Sequence, residues 1–269
     1  MSQEPNKDAL TRRDFLKLIG SAVLSAMLGR VNTALAASTG AFVLEHGSRR
    51  RPYVALTYDD CYNIQPLQEL ERILDDHPNV KVTFFPVGEA LLTTDTKDPG
   101  IWKRFAQRGH EIGYHSFSHI GANVMSTDSL IKDYDKWYAA LTQVLGAQAD
   151  VKFARPTFGI VSESLHEMCQ ERKLVAVLWS TGWGGPYTNA ARAIRETNRG
   201  DIVLLHTRPY IAGKWEDINN TREGLKINAE RGLRFSTLSD LYFAFLLDEL
   251  GFETCPVSPS DKPSPNCPQ

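Results

Sequence analysis

Two periods of hydrophobicity alternate along this chain. Short apolar runs of strand character fall at 53–58, 80–85, 111–114, 151–154, 174–179, 201–205 and 234–236. Between them lie segments with the helical period, at 64–76, 101–108, 129–145, 162–172, 189–198, 221–231 and 238–249. In the first of these, Ile64, Leu67, Leu70, Ile73 and Leu74 fall on one helical face, and Leu165, Met168 and Cys169 do the same in the fourth. Strand followed by helix, repeated in this way, predicts an α/β fold with parallel strands, although alternation alone does not separate a barrel from an open sheet. No internal repeat is evident.

The two ends read differently. Thr11-Arg12-Arg13-Asp14-Phe15-Leu16-Lys17 has the look of a twin-arginine export signal, followed by an apolar stretch at 18–28 and by Ala34-Leu35-Ala36, a small-residue cleavage site. That stretch is shorter than the ~20 residues a bilayer span needs, and no Cys follows it, so no stable membrane anchor is expected. The expected division is a signal at 1–36, a lead-in at 37–52, one catalytic domain at 53–250 and a Pro-rich tail at 251–269. The expected partner of the N-terminus is the twin-arginine export machinery, and the expected location is periplasmic or secreted.

A net charge of −2 gives no ground for expecting nucleic acid or an anionic membrane as a partner. Arg49-Arg50-Arg51 reads as a solvated approach to the first strand. Of the four Cys, Cys255 and Cys267 sit in the tail, where an oxidising compartment would permit a disulfide. Cys169 lies on an apolar stripe and reads as buried. Cys61 reads as a packed small residue, a neighbour of a metal, or a fourth ligand.

The chemistry concentrates at strand ends. The run Tyr53-Val54-Ala55-Leu56 leads into Thr57-Tyr58-Asp59-Asp60, and His115-Ser116-Phe117-Ser118-His119 follows the third strand. Histidines at i and i+4 share a face if the segment turns helically, and Asp60 would make a set of two His and one carboxylate for a divalent metal with a coordination position left open. Adjacent strand residues point to opposite faces, but a strand end relaxes that rule, so Asp59 can stay beside the ion as a general base. Zinc suits this donor set, as do Co2+, Ni2+ or Fe2+.

These residues carry a resemblance to the polysaccharide deacetylase family, that is, carbohydrate esterase family 4 or the NodB-homology domain. Thr57-Tyr58-Asp59-Asp60 resembles its first motif, and His115 to His119, after Gly109-His110-Glu111-Ile112-Gly113, its second. Arg155-Pro156-Thr157-Phe158-Gly159 resembles the third, and Ile202-Val203-Leu204-Leu205-His206 the fifth. Val82-Thr83-Phe84-Phe85-Pro86-Val87-Gly88 and Gly232-Leu233-Arg234-Phe235-Ser236-Thr237-Leu238 are similar to its second and last strands. The resemblance runs from about residue 53 to about residue 247 and implies a distorted (β/α) barrel of about seven parallel strands in a single domain, with the motifs gathered at the C-terminal ends of the strands.

The resemblance also implies roles. Asp60, His115 and His119 hold the metal, Asp59 acts as base, and Arg155 pairs with Asp59 and tunes it. His206 protonates the departing amine. The backbone N–H of Phe158 helps to hold the oxyanion, and Tyr58 is grouped with the residues facing substrate. Trp183 is either an apolar wall beside the acyl group or a core residue; for Arg155 the alternative is a structural ion pair, and its Pro-x-Phe-Gly context favours the functional role. A carbohydrate polymer with N-acetyl groups, of peptidoglycan or poly-N-acetylglucosamine type, is the implied substrate. An acetyl ester, a small cyclic amide, or a carbohydrate bound without turnover are the alternatives.

Three positions depart from the family pattern. Cys61 replaces a Gly, and Thr157 a second Pro. The fourth motif, Trp179-Ser180-Thr181-Gly182-Trp183-Gly184-Gly185, keeps a Trp but lacks the Asp that usually stands shortly before it. In the family that Asp orients the His of the fifth motif, so its loss leaves the acid half of the mechanism in question or calls for a substitute from elsewhere in the fold.

Overall fold

The long strand β2 (Tyr53–Asp60) organises the molecule, and from Val54 to Asp60 every residue of it is buried. A strand covered on both faces carries a continuous apolar run rather than an alternating one, which is how 53–58 reads in the sequence. The computed structural model describes residues 42–185, 188–207 and 216–250. The export-signal segment and the tail with Cys255 and Cys267 lie outside them. None of the helices among the described residues is long and apolar enough to cross a membrane.

In chain order the elements are β1 (Val43–Leu44), β2, α1 (Ile64–Asp76), β3 (Thr83–Pro86), α2 (Gly88–Lys97), α3 (Ile101–Gln107), β4 (Glu111–Ile112), α4 (Thr127–Leu145), β5 (Phe153–Ala154), α5 (Glu163–Arg172), β6 (Val175–Val177), β7 (Thr181–Gly182), α6 (Ala190–Glu196), β8 (Ile202–His206), α7 (Glu216–Glu230), β9 (Arg234–Ser236) and α8 (Leu238–Glu249). Short 3-10 turns at Ala122–Val124 and Thr157–Gly159 complete the set.

The named strands pair in parallel throughout, in the orders β4-β3-β2-β8-β7 and β1-β6-β5, with β9 alongside the first half of β2. A parallel bridge between Tyr114 and Ala154 joins the two groups. This is the distorted barrel expected from the sequence, with nine strands among the described residues rather than about seven. The strands with no counterpart among the predicted runs are β1 and β7, two residues each.

Helix α1 buries Leu67, Leu70, Ile73 and Leu74 along the predicted face. Helix α2 was not expected: it opens on Gly88 and carries three Thr, residues that lower helix propensity. Tertiary contacts hold it nonetheless. Thr94 Oγ1 donates to the Ala90 carbonyl at 2.6 Å and accepts from Trp102 Nε1 at 2.9 Å, so its hydroxyl is satisfied within the core. Around it Phe84 packs on Phe105 with ring centroids 4.5 Å apart. Helix α4 starts on the Ser126 side-chain cap and stops at Gly146, whose φ of 67° provides the left-handed residue that ends a helix.

Candidate active site

Parallel pairing brings the C-terminal ends of β2, β3 and β8 to one face of the barrel, and register sets Asp59 opposite His206 and Phe85. Adjacent strand residues should diverge, yet Asp59 and Asp60 stay together. The backbone explains this: Asp60 and Cys61 take positive φ, 66° and 64°, so β2 breaks from its extended form as it reaches the pair. Ser116 (67°), His119 (58°) and Phe158 (61°) do likewise in the other loops of this face. Non-glycine residues held in the left-handed region cost energy that surrounding structure must offset, and such residues concentrate at functional sites.

The two histidines meet in a way the spacing did not predict. Residues 115–119 form no helical turn; they cross a loop in which Ser116 and His119 are left-handed. The imidazoles end with ring centroids 5.4 Å apart. Asp133 of α4 fixes the loop from below, accepting from the Phe117 N–H at 2.8 Å and from the Tyr114 hydroxyl at 2.5 Å. One of three acidic residues on its helix, it gave no sign of that role in the sequence.

Asp60 Oδ1 lies 3.0 Å from His119 Nε2 and 3.5 Å from His115 Nε2. Ligand atoms from Asp60, His115 and His119 all fall within 4.8 Å of one another, close enough to share one ion. His115 Nδ1 is 2.8 Å from the Arg155 carbonyl, which makes Nδ1 the protonated nitrogen and leaves Nε2 as the donor to a metal. Burial alone would push the Asp60 carboxyl up, but hydrogen bonds from His115 and His119, with the charge of His115 and His206, outweigh it and hold the group far below the usual carboxylate range. For His115 burial acts downward, and the carboxylates of Asp59 and Asp60 reverse it, so the net shift is upward. An anionic pocket with two imidazoles at its rim fits a divalent cation.

Arg155 is fully buried behind the pair. Its guanidinium donates to Asp59 Oδ1 at 2.8 Å, to Thr57 Oγ1 at 2.6 Å and to the Leu178 carbonyl at 2.9 Å, and lies 4.3 Å above the Phe85 ring. The other Asp59 oxygen, Oδ2, is 3.9 Å from His115 Nε2. Phe158 is 65% exposed and meets His119 edge-on at 4.7 Å, so it forms an apolar lip beside the candidate metal position.

The remaining sequence candidates divide. His206 ends β8 at the same face, its side chain 16% exposed. Tyr58, expected among the residues facing substrate, has no exposed surface. Fully buried, it packs on Phe84 and shares a 2.8 Å hydrogen bond with Thr221 of α7, and burial drives its phenol well above the usual range. Trp183 resolves to the core alternative: its ring is fully buried against Phe235 and Gly224, with Nε1 donating to Thr197 Oγ1 at 2.8 Å, so it has no surface to offer an acyl group. Cys61 stands apart from the three-residue cluster. Its thiol is raised by burial and by the neighbouring carboxylates, and Sγ turns to the Tyr58 carbonyl at 3.5 Å.

One residue that the sequence gave no reason to single out lies beneath His206. Asp217, in the first turn of α7, is 1% exposed; its Oδ2 accepts from the His206 backbone N–H at 2.7 Å and stands 3.8 Å from the ring Nδ1.

Comparison with known proteins agrees with this geometry. Residues 46–177 match the polysaccharide deacetylase family profile. The chain is 29% identical over 203 residues to a peptidoglycan-N-acetylglucosamine deacetylase of Bacillus cereus, covering 73% of this chain and 70% of that protein. Among solved structures it is similar to a family 4 acetyl xylan esterase from Clostridium thermocellum bound to a cobalt ion, with 28% identity, a TM-score of 0.60 and coverage of 75% of this chain and 93% of that one. It also shares the fold of a carbohydrate esterase family 4 pseudoenzyme from Bacillus anthracis, at 18% identity and a TM-score of 0.65, covering 76% of this chain and 70% of that one. Together with the fold, these matches support a polysaccharide deacetylase family domain in this chain.

Proposed function

We propose that this protein is an exported, metal-dependent deacetylase that hydrolyses the N-acetyl amide of a sugar polymer, with peptidoglycan as the first candidate. The observation that carries this reading is the cluster of Asp60, His115 and His119 beside a second carboxylate, Asp59, that is held by a buried arginine. A metal pocket needs one acid–base group that is not a ligand, and Asp59 has that relation to the cluster. Its likeness to a Bacillus cereus peptidoglycan-N-acetylglucosamine deacetylase supports the substrate class.

Asp60, His115 and His119 would hold the ion, zinc being suited to the set, with Co2+, Ni2+ and Fe2+ compatible. When bound, the ion supplies a Lewis acid and an acidified water near neutral pH. The residues of the chain do the rest. Asp59 takes the proton of the attacking water through the oxygen that Arg155 leaves open. Its hydrogen bond from Arg155 fixes its direction. Phe158 excludes solvent at the lip, and its backbone N–H is the candidate oxyanion donor. His206 delivers a proton to the nitrogen as the C–N bond breaks.

The test is acetate release by the metal-loaded mature protein from peptidoglycan, chito-oligomers and acetylated xylan, with Asp59→Asn as control. Release from a glucosamine-containing polymer, abolished in the control, supports the amide reading. Release from xylan alone would make the protein an esterase. Metal binding without release from any of them would place it with the non-catalytic members of the fold.

A further inference from the structure

We propose that Asp217 is the positioning residue for His206, a carboxylate brought by helix α7 to do the work of the Asp that the fourth motif lacks. This inference rests on the reading of His206 as the acid that protonates the leaving amine.

Three contacts along one face of α7 carry it. Positions 217, 221 and 224 lie at i, i+4 and i+7, on a single helical face. Asp217 accepts the His206 N–H at 2.7 Å and reaches to 3.8 Å of Nδ1. Thr221 bonds the Tyr58 hydroxyl at 2.8 Å, tying the helix to β2 beside Asp59. Gly224 has no side chain, and the Trp183 ring lies so close that a Cβ there would overlap it. Asn220, on the adjoining face, donates to the Trp183 carbonyl at 2.5 Å. The helix is therefore docked against the fourth-motif segment itself.

The same segment is shaped to admit the new carboxylate. A Cβ on Gly184 would overlap the Asp217 side chain, so only glycine at 184 leaves it room. Gly182, by contrast, has ordinary space: its nearest neighbour to a Cβ would be the Leu204 carbonyl at 3.6 Å. An acidic residue in the first turn of a helix is ordinarily a solvated partner of the helix dipole. Asp217 is instead buried and bonded to the strand end that carries His206.

The chemistry follows from orientation. His206 must carry a proton to the departing nitrogen and be reprotonated from solvent. A carboxylate on its Nδ1 side sets the ring so that Nε2–H is the proton delivered. The dependence on this help scales with the leaving group: an amine must be protonated to depart, whereas a nitrophenolate need not be.

The test is a leaving-group comparison on metal-loaded enzyme. Asp217→Asn should lower kcat for the N-acetyl substrate by about 10²-fold or more, with KM and metal content little changed. On p-nitrophenyl acetate the loss should be smaller by at least about tenfold. Asp217→Asn combined with His206→Ala should cost no more than His206→Ala alone, because the two act as a unit. Adding Gly182→Asp to Asp217→Asn should restore amide turnover at least about tenfold. If Asp217→Asn does not fold, Asp217→Ser is read in the same way. Equal losses on both substrates, or losses that multiply with those of His206→Ala, would reduce Asp217 to a structural residue and overturn the proposal. Full amide turnover by His206→Ala would overturn the underlying acid assignment instead, and the Asp217 proposal with it.

Discussion

Arg155 and His115 are joined by a 2.8 Å contact from the Arg155 backbone carbonyl to the His115 Nδ1, while the guanidinium of the same residue holds Asp59 at 2.8 Å. One residue thus orients a candidate metal ligand through its backbone and the candidate base through its side chain. The two functions separate by mutation. Arg155→Ala keeps the carbonyl but leaves Asp59 buried without its cation, and breaking a buried pair on one side costs about 3–5 kcal/mol. The expected result is a lowered urea midpoint and loss of turnover, with metal content preserved. Arg155→Lys should recover only part of either, since an ammonium cannot fork to Asp59, Thr57 and the Leu178 carbonyl together. An unchanged midpoint in Arg155→Ala would show that the ion pair contributes nothing to the fold.

Removing the ligands should separate binding from chemistry. Asp60→Asn and His119→Ala are expected to lose metal on dialysis, as measured by elemental analysis, and to lose activity with it. Asp59→Asn should retain metal and still fall by about 10²-fold or more in kcat. A bound ion also stabilises the native state, by about 2.7 kcal/mol at a hundredfold excess over Kd. Chelation should accordingly lower the melting temperature of the wild-type protein and leave that of Asp60→Asn nearly where it was. A chelator shift of the same size in both would place the ion elsewhere.

Much of this site was legible because its signals are local. Strand ends are marked by runs such as 53–58, and Asp59-Asp60 and His115 to His119 are contiguous in the chain. What was not legible is non-local. Asp133 and Asp217 reach the site from helices, where an acidic residue normally means solvent. Tyr58 and Trp183 sit beside motif residues in sequence yet turn into the core, Tyr58 toward Thr221 and Trp183 toward Gly224. The helical reading of His115 to His119 reached the right pairing through the wrong backbone, because left-handed residues such as Ser116 and His119 have no compositional mark when they are not glycine.

Trp183 and Phe158 make opposite predictions. Trp183→Ala opens a cavity against Gly224 and Phe235 and should cost about 3–5 kcal/mol in a denaturation experiment. Phe158→Ala removes an exposed ring and should leave stability within about 0.5 kcal/mol while raising KM for polymer substrates. If Phe158→Ala left KM untouched, the apolar lip beside His119 would not be part of the substrate surface.

Acid should weaken the fold through a residue far from the chemistry in role, His110. Burial lowers its pKa from 6.5 to about 4, with Lys81 and Arg108 nearby acting in the same direction. Its Nδ1 accepts the Val82 backbone N–H at 3.2 Å, which only a neutral imidazole can do. The folded pKa lies below the unfolded one, so between about pH 6.5 and 4 the unfolded chain binds more protons at this position, and stability falls as pH falls. A shift of that size corresponds to at most about 3 kcal/mol, fully present above pH 6.5 and lost by pH 4. Other groups titrate in the same range, so the measurement is a difference. Urea midpoints of the wild type and of His110→Asn, whose amide oxygen can still accept the Val82 N–H, are compared from pH 7.5 to pH 4.5. The wild type should lose stability more steeply, and the two curves should converge as the pH drops; parallel curves would mean that His110 is protonated alike in both states and bears none of the acid sensitivity.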